Sequence, residues 1–527
     1  MMKAAMLILA MLLTFICSGA SATQEGPTEY GSGDYVYIIM EDGTAEICDY
    51  RGDALDLNIP DTLDGYAVTR IGDQAFNECT ELESVTIEPG VETVGTNPFT
   101  GCECLTEIFV SPGNPRLFVQ DGVLFDKQDM RLISCPMTFS GTSYVIPEGT
   151  KIVGDQAFQY CAELESIVIG TTVETVYANP FIGCESLTDI VVSPGNPRLF
   201  VQDEVLFDKQ DMRLICCLMT ASGEMYPVPD GTGSIGEGAF GGCSGISGVA
   251  IPQSVTSIGK WAFSGCTGLT NLAIGNSVTS IGEGAFSGCE SLAGLSIPKG
   301  VKIVEDRLCS ACCGLVSVTI PEGVTSIGDF AFYTCWQLAG LDIPKSVAGI
   351  GEGAFRSCES LTTLVIPEGV TRIGNGAFAY CSGVTSLMLY GGVSSIGDNV
   401  FSRCESLTGV RIPEGVASIE DGAFDGCLSL KDVWIPDSVT SIGDEAFAYC
   451  ESLTGLTIPV GVTSIGEEAF AYCDMLTLTV DRGSYAEAYA IGNEISYIYP
   501  DANDFQSGFR DDREQAGEPS IFAAAHS

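Results

Sequence analysis

A phenylalanine recurs along this chain at a fixed interval. It stands at Phe240, Phe263 and Phe286, then at Phe332, Phe355, Phe378, Phe401, Phe424, Phe447 and Phe470, each step being 23 residues except one of 46. The skipped slot holds Cys309, and Val301, Val304, Cys312, Leu315 and Ile320 around it keep the register. Eleven contiguous units therefore occupy residues 233–480. A unit this short cannot enclose a core of its own and must bury its apolar face against its neighbours. The 527 residues thus form a stacked array, although their number would suffice for several separate domains.

Upstream the same unit occurs at Phe76, Phe99, Phe158 and Phe181, with steps of 23, 59 and 23, and a further 59 leads to Phe240. Residues 64–232 are therefore four units, two of which carry an insertion of 36 residues. The insertions are near copies, "SPGNPRLFVQDGVLFDKQDMRLI" from Ser111 and "SPGNPRLFVQDEVLFDKQDMRLI" from Ser193, differing at Gly122 and Glu204. Short strand-like runs joined by polar turns predict a hairpin-type flap on the flank of the array. Residues 23–63 read as an N-terminal cap with an atypical first unit. Residues 481–500 read as a C-terminal cap with a helix over Tyr485–Ile491 and a closing strand. The polar residues 501–527 read as a disordered tail.

Within the unit around Phe355, Leu361, Leu364 and Ile366 have the L-x-x-L-x-L spacing of a repeat strand. Alternation puts Leu364 and Ile366 inward and Thr363 and Val365 outward. Pro367 ends the strand, because it cannot donate to a ladder. Val370 and Ile373 return to the core. Before "GAFAYC", Asn375 occupies an N-cap position, which predicts a short turn of helix or 3₁₀-helix carrying Phe378 and Cys381 on one face.

That capping slot is acidic in eleven of fifteen units: Asp73, Asp155, Glu237, Glu283, Asp306, Asp329, Glu352, Asp398, Asp421, Asp444 and Glu467. A carboxylate there would accept orphan N–H groups at the positive end of a helix dipole. A calcium ladder is the alternative. It is disfavoured because calcium needs several oxygens converging on one point, and each unit supplies one.

Cysteine fills the slot three residues after the phenylalanine in all fifteen units: Cys79, Cys102, Cys161, Cys184, Cys243, Cys266, Cys289, Cys312, Cys335, Cys358, Cys381, Cys404, Cys427, Cys450 and Cys473. Metal binding is disfavoured, since the spacing is uniform and the single histidine is His526. Stacked neighbours about 5 Å apart could form disulfides, but an odd-numbered, uniform column does not suit fixed pairing. The favoured reading is structural: a small buried apolar group at every corner.

Residues 1–22 have the form of a signal peptide, with Lys3, an apolar run from Ala4 to Cys17 and the small-x-small pattern Ala20-Ser21-Ala22. No later stretch is long and apolar enough to insert in a membrane. The chain is therefore read as exported, secreted or at the cell surface, with no recognisable wall or membrane anchor. The net charge of −46, from 69 acids and 23 bases, disfavours nucleic acid and anionic lipid as partners.

With these features in view, units such as "LTGLTIPVGVTSIGEEAFAYCDML" from Leu453 resemble the BspA-like leucine-rich-repeat surface proteins. The "NPF-x-GC" segments at Asn97 and Asn179 and the ending "GSYAEAYA" from Gly483 share the resemblance, which spans about Tyr35 to Tyr499. It implies a β-dominated leucine-rich-repeat solenoid with N- and C-terminal caps, an exported or surface location, and a role in adhesion or protein–protein binding. The alternatives are a secreted glycan-binding scaffold and a purely structural array.

Chemistry is sparse. Without a usable histidine there is no Ser-His or Cys-His arrangement, and the carboxylates are periodic, so no catalytic, cofactor-binding or metal-binding residue is proposed and the chain is read as non-enzymatic. The tripeptide Arg51-Gly52-Asp53 is read as a turn. The outward strand positions are more informative. One column is small, with Gly248, Gly294, Gly340, Gly409 and Gly455. The next contains Asp342, Val365, Met388, Arg411 and Trp434, neighbours in successive units, and this patch is the candidate partner-binding face for a protein or glycan.

Overall fold

The computed structural model describes residues 27–500, so the signal-peptide and tail assignments lie outside the described residues. The described residues divide into two compact units, one ending at Gly268 and the other beginning at Leu269, each taken by itself below.

The first unit opens with an antiparallel meander of Glu29–Ser32, Tyr35–Ile39 and Ala45–Tyr50. Its third strand pairs in parallel with Tyr66–Ile71, so the cap converts an antiparallel edge into the parallel stacking of the array. Thereafter two parallel ladders run through the turns. The outer one joins Asp56–Asn58, Ser84–Ile87 and Glu107–Val110; the other joins Tyr66–Ile71 to the short strand Thr93–Val94. The alternation predicted for the outer strand holds: in Ser84–Ile87, Val85 and Ile87 are buried and Ser84 and Thr86 are not.

The insertions are not flaps. Leu117–Gln120, Val123–Asp126 and Arg131–Ser134 form a three-stranded meander whose last strand pairs in parallel with Ile152–Val153 of the next turn. The copy, Leu199–Gln202, Val205–Asp208 and Arg213–Cys217, joins Ser234–Ile235 in the same way. The reason is apolar content: Val123, Leu124 and Phe125 are all buried, which a solvent-surrounded hairpin could not achieve. The buried Asp126 carboxylate meets Arg116 at 3.0 Å, and Asp208 meets Arg198 at 2.9 Å. The asparagine of each "NPF" segment ties the interrupted turn to the one beyond it. Asn97 Nδ2 donates to the Gln156 carbonyl at 2.9 Å, and Asn179 Nδ2 to that of Gly238 at 2.9 Å.

The second unit repeats the two ladders without insertions. Outer strands pair as Thr363–Ile366 with Ser386–Leu389 and Gly409–Arg411 with Asp432–Trp434. Two-residue strands such as Arg372–Ile373 and Ser418–Ile419 form the second ladder. The phenylalanines stack into a spine, with ring centroids 5.2 Å apart for Phe332–Phe355 and 5.3 Å for Phe355–Phe378. The C-terminal cap is the helix Tyr485–Gly492, followed by Ser496–Ile498 paired onto Thr477–Thr479. Ser484 Oγ accepts the Glu487 N–H at the helix start, and the Glu487 carboxylate accepts the N–H of Gly483, the residue before the N-cap.

The corner before each cysteine is not helical. Among the described residues the segments around the repeat phenylalanines are turns. Their alternate N–H groups point along the array rather than back into their own turn: Phe330 donates to Glu352, Phe332 to Ala354 and Thr334 to Arg356, at 2.7–2.9 Å. This third ladder requires left-handed backbone two residues before and two after the phenylalanine slot, as at Phe330 (φ 54°), Thr334 (φ 57°) and Tyr380 (φ 61°). The helix expectation failed because alternate N–H groups bond to the next unit, which leaves only separate i→i+3 turns within the corner, such as Tyr333 donating to Phe330 and Cys335 to Phe332.

The acidic slot is corrected with it. Asp329 Oδ1 accepts the Glu352 N–H, and Asp421 Oδ1 accepts the Asp444 N–H, each 23 residues on, at 2.7 and 2.8 Å. Asp73, Asp155, Asp306 and Asp444 do the same. These aspartates clamp successive turns; they do not cap a helix.

Candidate binding surfaces

The strand residues whose side chains leave the core are the third of each outer strand and the first. In the second unit the third positions bring Val365 beside Met388 and Arg411 beside Trp434. The Arg411 guanidinium carbon lies 4.2 Å from the centroid of the Trp434 ring, a cation–π contact on a ring that remains 38% exposed. Around the pair is a shallow cavity of about 280 Å³, lined also by Gly409, Lys431, Asp432 and Gly455. The bare positions are what open it: a Cβ on Gly455 would meet nothing within 4 Å. Neither Arg411 nor Lys431 takes part in an ion pair among the described residues. Asp342 is exposed but set apart from this pairing, because the outer ladder is interrupted there and only the isolated bridge Ser317–Gly340 remains.

The fifteen column cysteines are buried except for the half-buried Cys79, and all are free thiols. Their thiols point at backbone. Cys358 Sγ donates to the Phe332 carbonyl at 3.3 Å, Cys381 to Phe355 at 3.2 Å and Cys427 to Phe401 at 3.3 Å, always one turn back. That same carbonyl accepts the backbone N–H of its own turn's cysteine. Burial pushes the Cys381 and Cys427 thiols up to about 12, so they stay protonated and able to donate. Within the described residues no group of three or more His, Cys, Asp or Glu is placed to hold a metal ion. The Arg51 of the Arg-Gly-Asp turn is held by Asp49 at 2.7 Å.

Two surfaces escaped the sequence reading. The first is a cavity of about 650 Å³ between Glu107–Val110 and Leu117–Gln120, with Phe109 half exposed on its wall. The second lies on the turn corners of the second unit. Arg356 sits 5.0 Å from the Tyr380 ring centroid and Arg403 5.7 Å from that of Tyr449. Tyr449 and Tyr472 stack with centroids 4.4 Å apart and planes 11° from parallel. Tyr380, Arg403, Tyr449 and Tyr472 all occupy the slot two residues after the phenylalanine, where other turns have Gly288 or Gly426. Reading that column down the array, instead of each unit along the chain, would have found the ridge.

No described helix is long and apolar enough to cross a membrane. No curated protein matches the chain. Among solved structures, a leucine-rich repeat protein of Bacteroides ovatus is 24% identical, with 92% of this chain and 100% of that one covered and a TM-score of 0.51. A leucine rich cell surface protein of Faecalibacterium prausnitzii is also 24% identical, covering 89% of this chain and 98% of that one, at a TM-score of 0.33. The first similarity extends over the fold. The family model for the BspA type leucine rich repeat region matches residues 55–117, 135–200, 219–335, 302–428 and 377–493. Those segments take in most of the chain and coincide with the 23-residue turns and their three ladders, so the chain belongs to the BspA-type leucine-rich-repeat family.

Proposed function

We propose that the chain is an exported, non-enzymatic binding protein that engages a protein partner, in adhesion or a related contact, through the outward strand positions of its second unit. The observation that carries this reading is the Arg411–Trp434 pair. A desolvable aromatic and a stacked guanidinium beside a shallow groove are the residue types that dominate interface energetics. Glycine at Gly409 and Gly455 leaves room for a partner to reach the ring. Val365 and Met388 extend the apolar part of the patch on the adjoining strands. Export rests on the leader sequence of residues 1–22.

The test is a pull-down from host and neighbouring-cell surface extracts with the full mature chain, accompanied by a glycan array. Against the partner so identified, Trp434→Ala combined with Arg411→Ala is expected to weaken binding by about thirtyfold or more, the scale of an interface hot spot. Unchanged affinity refutes this site. Capture of glycans in place of protein refutes the partner class.

A further inference from the structure

The tyrosine ridge on the turn corners is a different surface from the strand patch, and its chemistry is different. Tyr449 and Tyr472 both have left-handed backbone, φ 55° and 60°. A side chain with a Cβ is strained there, by about 1–3 kcal/mol per residue. Glycine satisfies the same slot in the same array, as at Gly426 with φ 68°. Burial does not account for the Tyr472 ring, which is 61% exposed, while Tyr449 beside it is 36% exposed. The chain thus keeps two large side chains in slots that strain the backbone, and Tyr472 buries little of its surface there.

The surroundings say what could use them. Glu445 and Glu451 bracket Tyr449 on its turn, and Glu468 and Asp474 bracket Tyr472; all four carboxylates are exposed. None is in an ion pair among the described residues, and the nearby guanidinium of Arg403 is held by Asp425 at 3.4 Å. One face of Tyr449 is covered by Arg403 and the other by Tyr472, so Tyr449 itself offers no free face. The outer face of Tyr472 carries no ring or guanidinium among the described residues. An aromatic face in a rim of uncompensated carboxylates is complementary to a cation on a flexible stem.

We propose that this ridge is a docking site for a lysine-rich polypeptide segment, which lays an ammonium on the Tyr472 face while neighbouring lysines meet the flanking carboxylates. The probe is a decalysine peptide, titrated into the full mature chain at about 0.15 M salt, where screening beyond about 8 Å suppresses the attraction of the distant net charge. The wild-type chain is expected to bind. Tyr449→Gly combined with Tyr472→Gly leaves the net charge unaltered and is expected to weaken binding about two- to fivefold, the range for one exposed cation–π contact. Because glycine relieves the left-handed backbone, the thermal midpoint of this variant should be unchanged or higher. Glu451→Gln with Asp474→Asn should weaken binding more than Glu322→Gln with Glu368→Gln, an equal charge change placed elsewhere. No binding by the wild type, equal binding by the tyrosine variant, or equal loss from the two charge variants overturns the proposal. So does a fall of several degrees in the midpoint of the tyrosine variant, because the rings are then structural.

Discussion

Gly351 immediately precedes Glu352, and the space its side chain would enter is already filled. A Cβ there would lie 2.4 Å from Asp329 Oδ1, 2.5 Å from the Gly328 carbonyl carbon and 2.6 Å from the Asp329 amide nitrogen. The two backbone atoms cannot retreat: Gly328 donates to the Val304 carbonyl at 2.8 Å and Asp329 to Asp306 Oδ1 at 2.7 Å. The carboxylate can swing aside only by giving up its bond to the Glu352 N–H. Forcing a methyl group into a packed site costs about 1–3 kcal/mol, and losing a hydrogen bond to a charged acceptor about 1.5–3 kcal/mol. Gly351→Ala should therefore cost about 3–5 kcal/mol. Gly349, two residues earlier, has nothing within 4 Å of an added Cβ, so Gly349→Ala should stay within about 0.5 kcal/mol. Long arrays need not unfold in one step, so the assay is local: amide hydrogen exchange over residues 350–355, with the urea midpoint beside it. Gly351→Ala should exchange about a hundredfold faster or more, at a factor of ten per 1.4 kcal/mol. Equal protection in the two variants would refute the claim that the aspartate clamp, and not glycine flexibility, explains this position.

Three further outcomes follow from the same geometry. Thr334, a β-branched residue at φ 57°, should gain about 0.5–1 kcal/mol on change to glycine, the relief of left-handed strain less the added chain entropy; a lower thermal midpoint for Thr334→Gly contradicts this. In the native protein a thiol reagent at pH 8 should label the exposed Cys104 quickly, while Cys381 and Cys427, buried and pushed up to about 12, label only after denaturation; rapid native labelling of the column contradicts the buried S–H···O arrangement. Burial raises the Asp306 carboxyl above its ordinary value, opposed by the hydrogen bond from Asp329, so the folded state binds its proton more readily than the unfolded state. The stability due to this group is therefore present at low pH and falls as pH rises through the raised value. Asp306→Asn keeps an acceptor without the charge and should be the more stable protein at pH 7, with the gap closing toward pH 3; a gap independent of pH removes desolvation as the cause.

How much was legible depended on whether a residue's partners lie in its own unit or the next. The outer strand was legible because alternation within one unit, such as Leu364 and Ile366 inward and Val365 outward, is set by the pleat alone. The caps were legible because their periodicity departs from the array. The corner was misread because "DEAFAYC" and its relatives have the composition of a capped helical turn. What rules the helix out is a carbonyl 22 residues away, as when Phe332 donates to Ala354, and nothing within the unit signals it. The insertions were misread for a related reason. "GVLFD" looks like one arm of an exposed hairpin until Arg131 and Leu132 are seen to pair with Ile152 and Val153. Of the strand patch, Arg411 and Trp434 come together as their register requires, whereas Asp342 depended on a strand that the array does not continue.

The corner columns also obey a rule that runs across turns. A large residue in a left-handed slot leans over the same slot of the next turn, and that slot is then often glycine. Phe330 leans toward Gly353, where a Cβ would meet its ring at 2.6 Å; Arg403 lies across Gly426 at 2.6 Å, and Tyr160 across Gly183 at 2.2 Å. The glycine is needed twice over, once for its positive φ and once for the neighbour's side chain. Large residues also follow one another, and Tyr449 and Tyr472 do so by lying flat on each other at 4.4 Å. A side chain at Gly426 would have to displace Arg403 from the Tyr449 ring, and with it one covered face of the ridge. The shape of this surface is thus set by where the array places its glycines, while the third ladder that carries it recurs in each turn from Phe286 to Phe447.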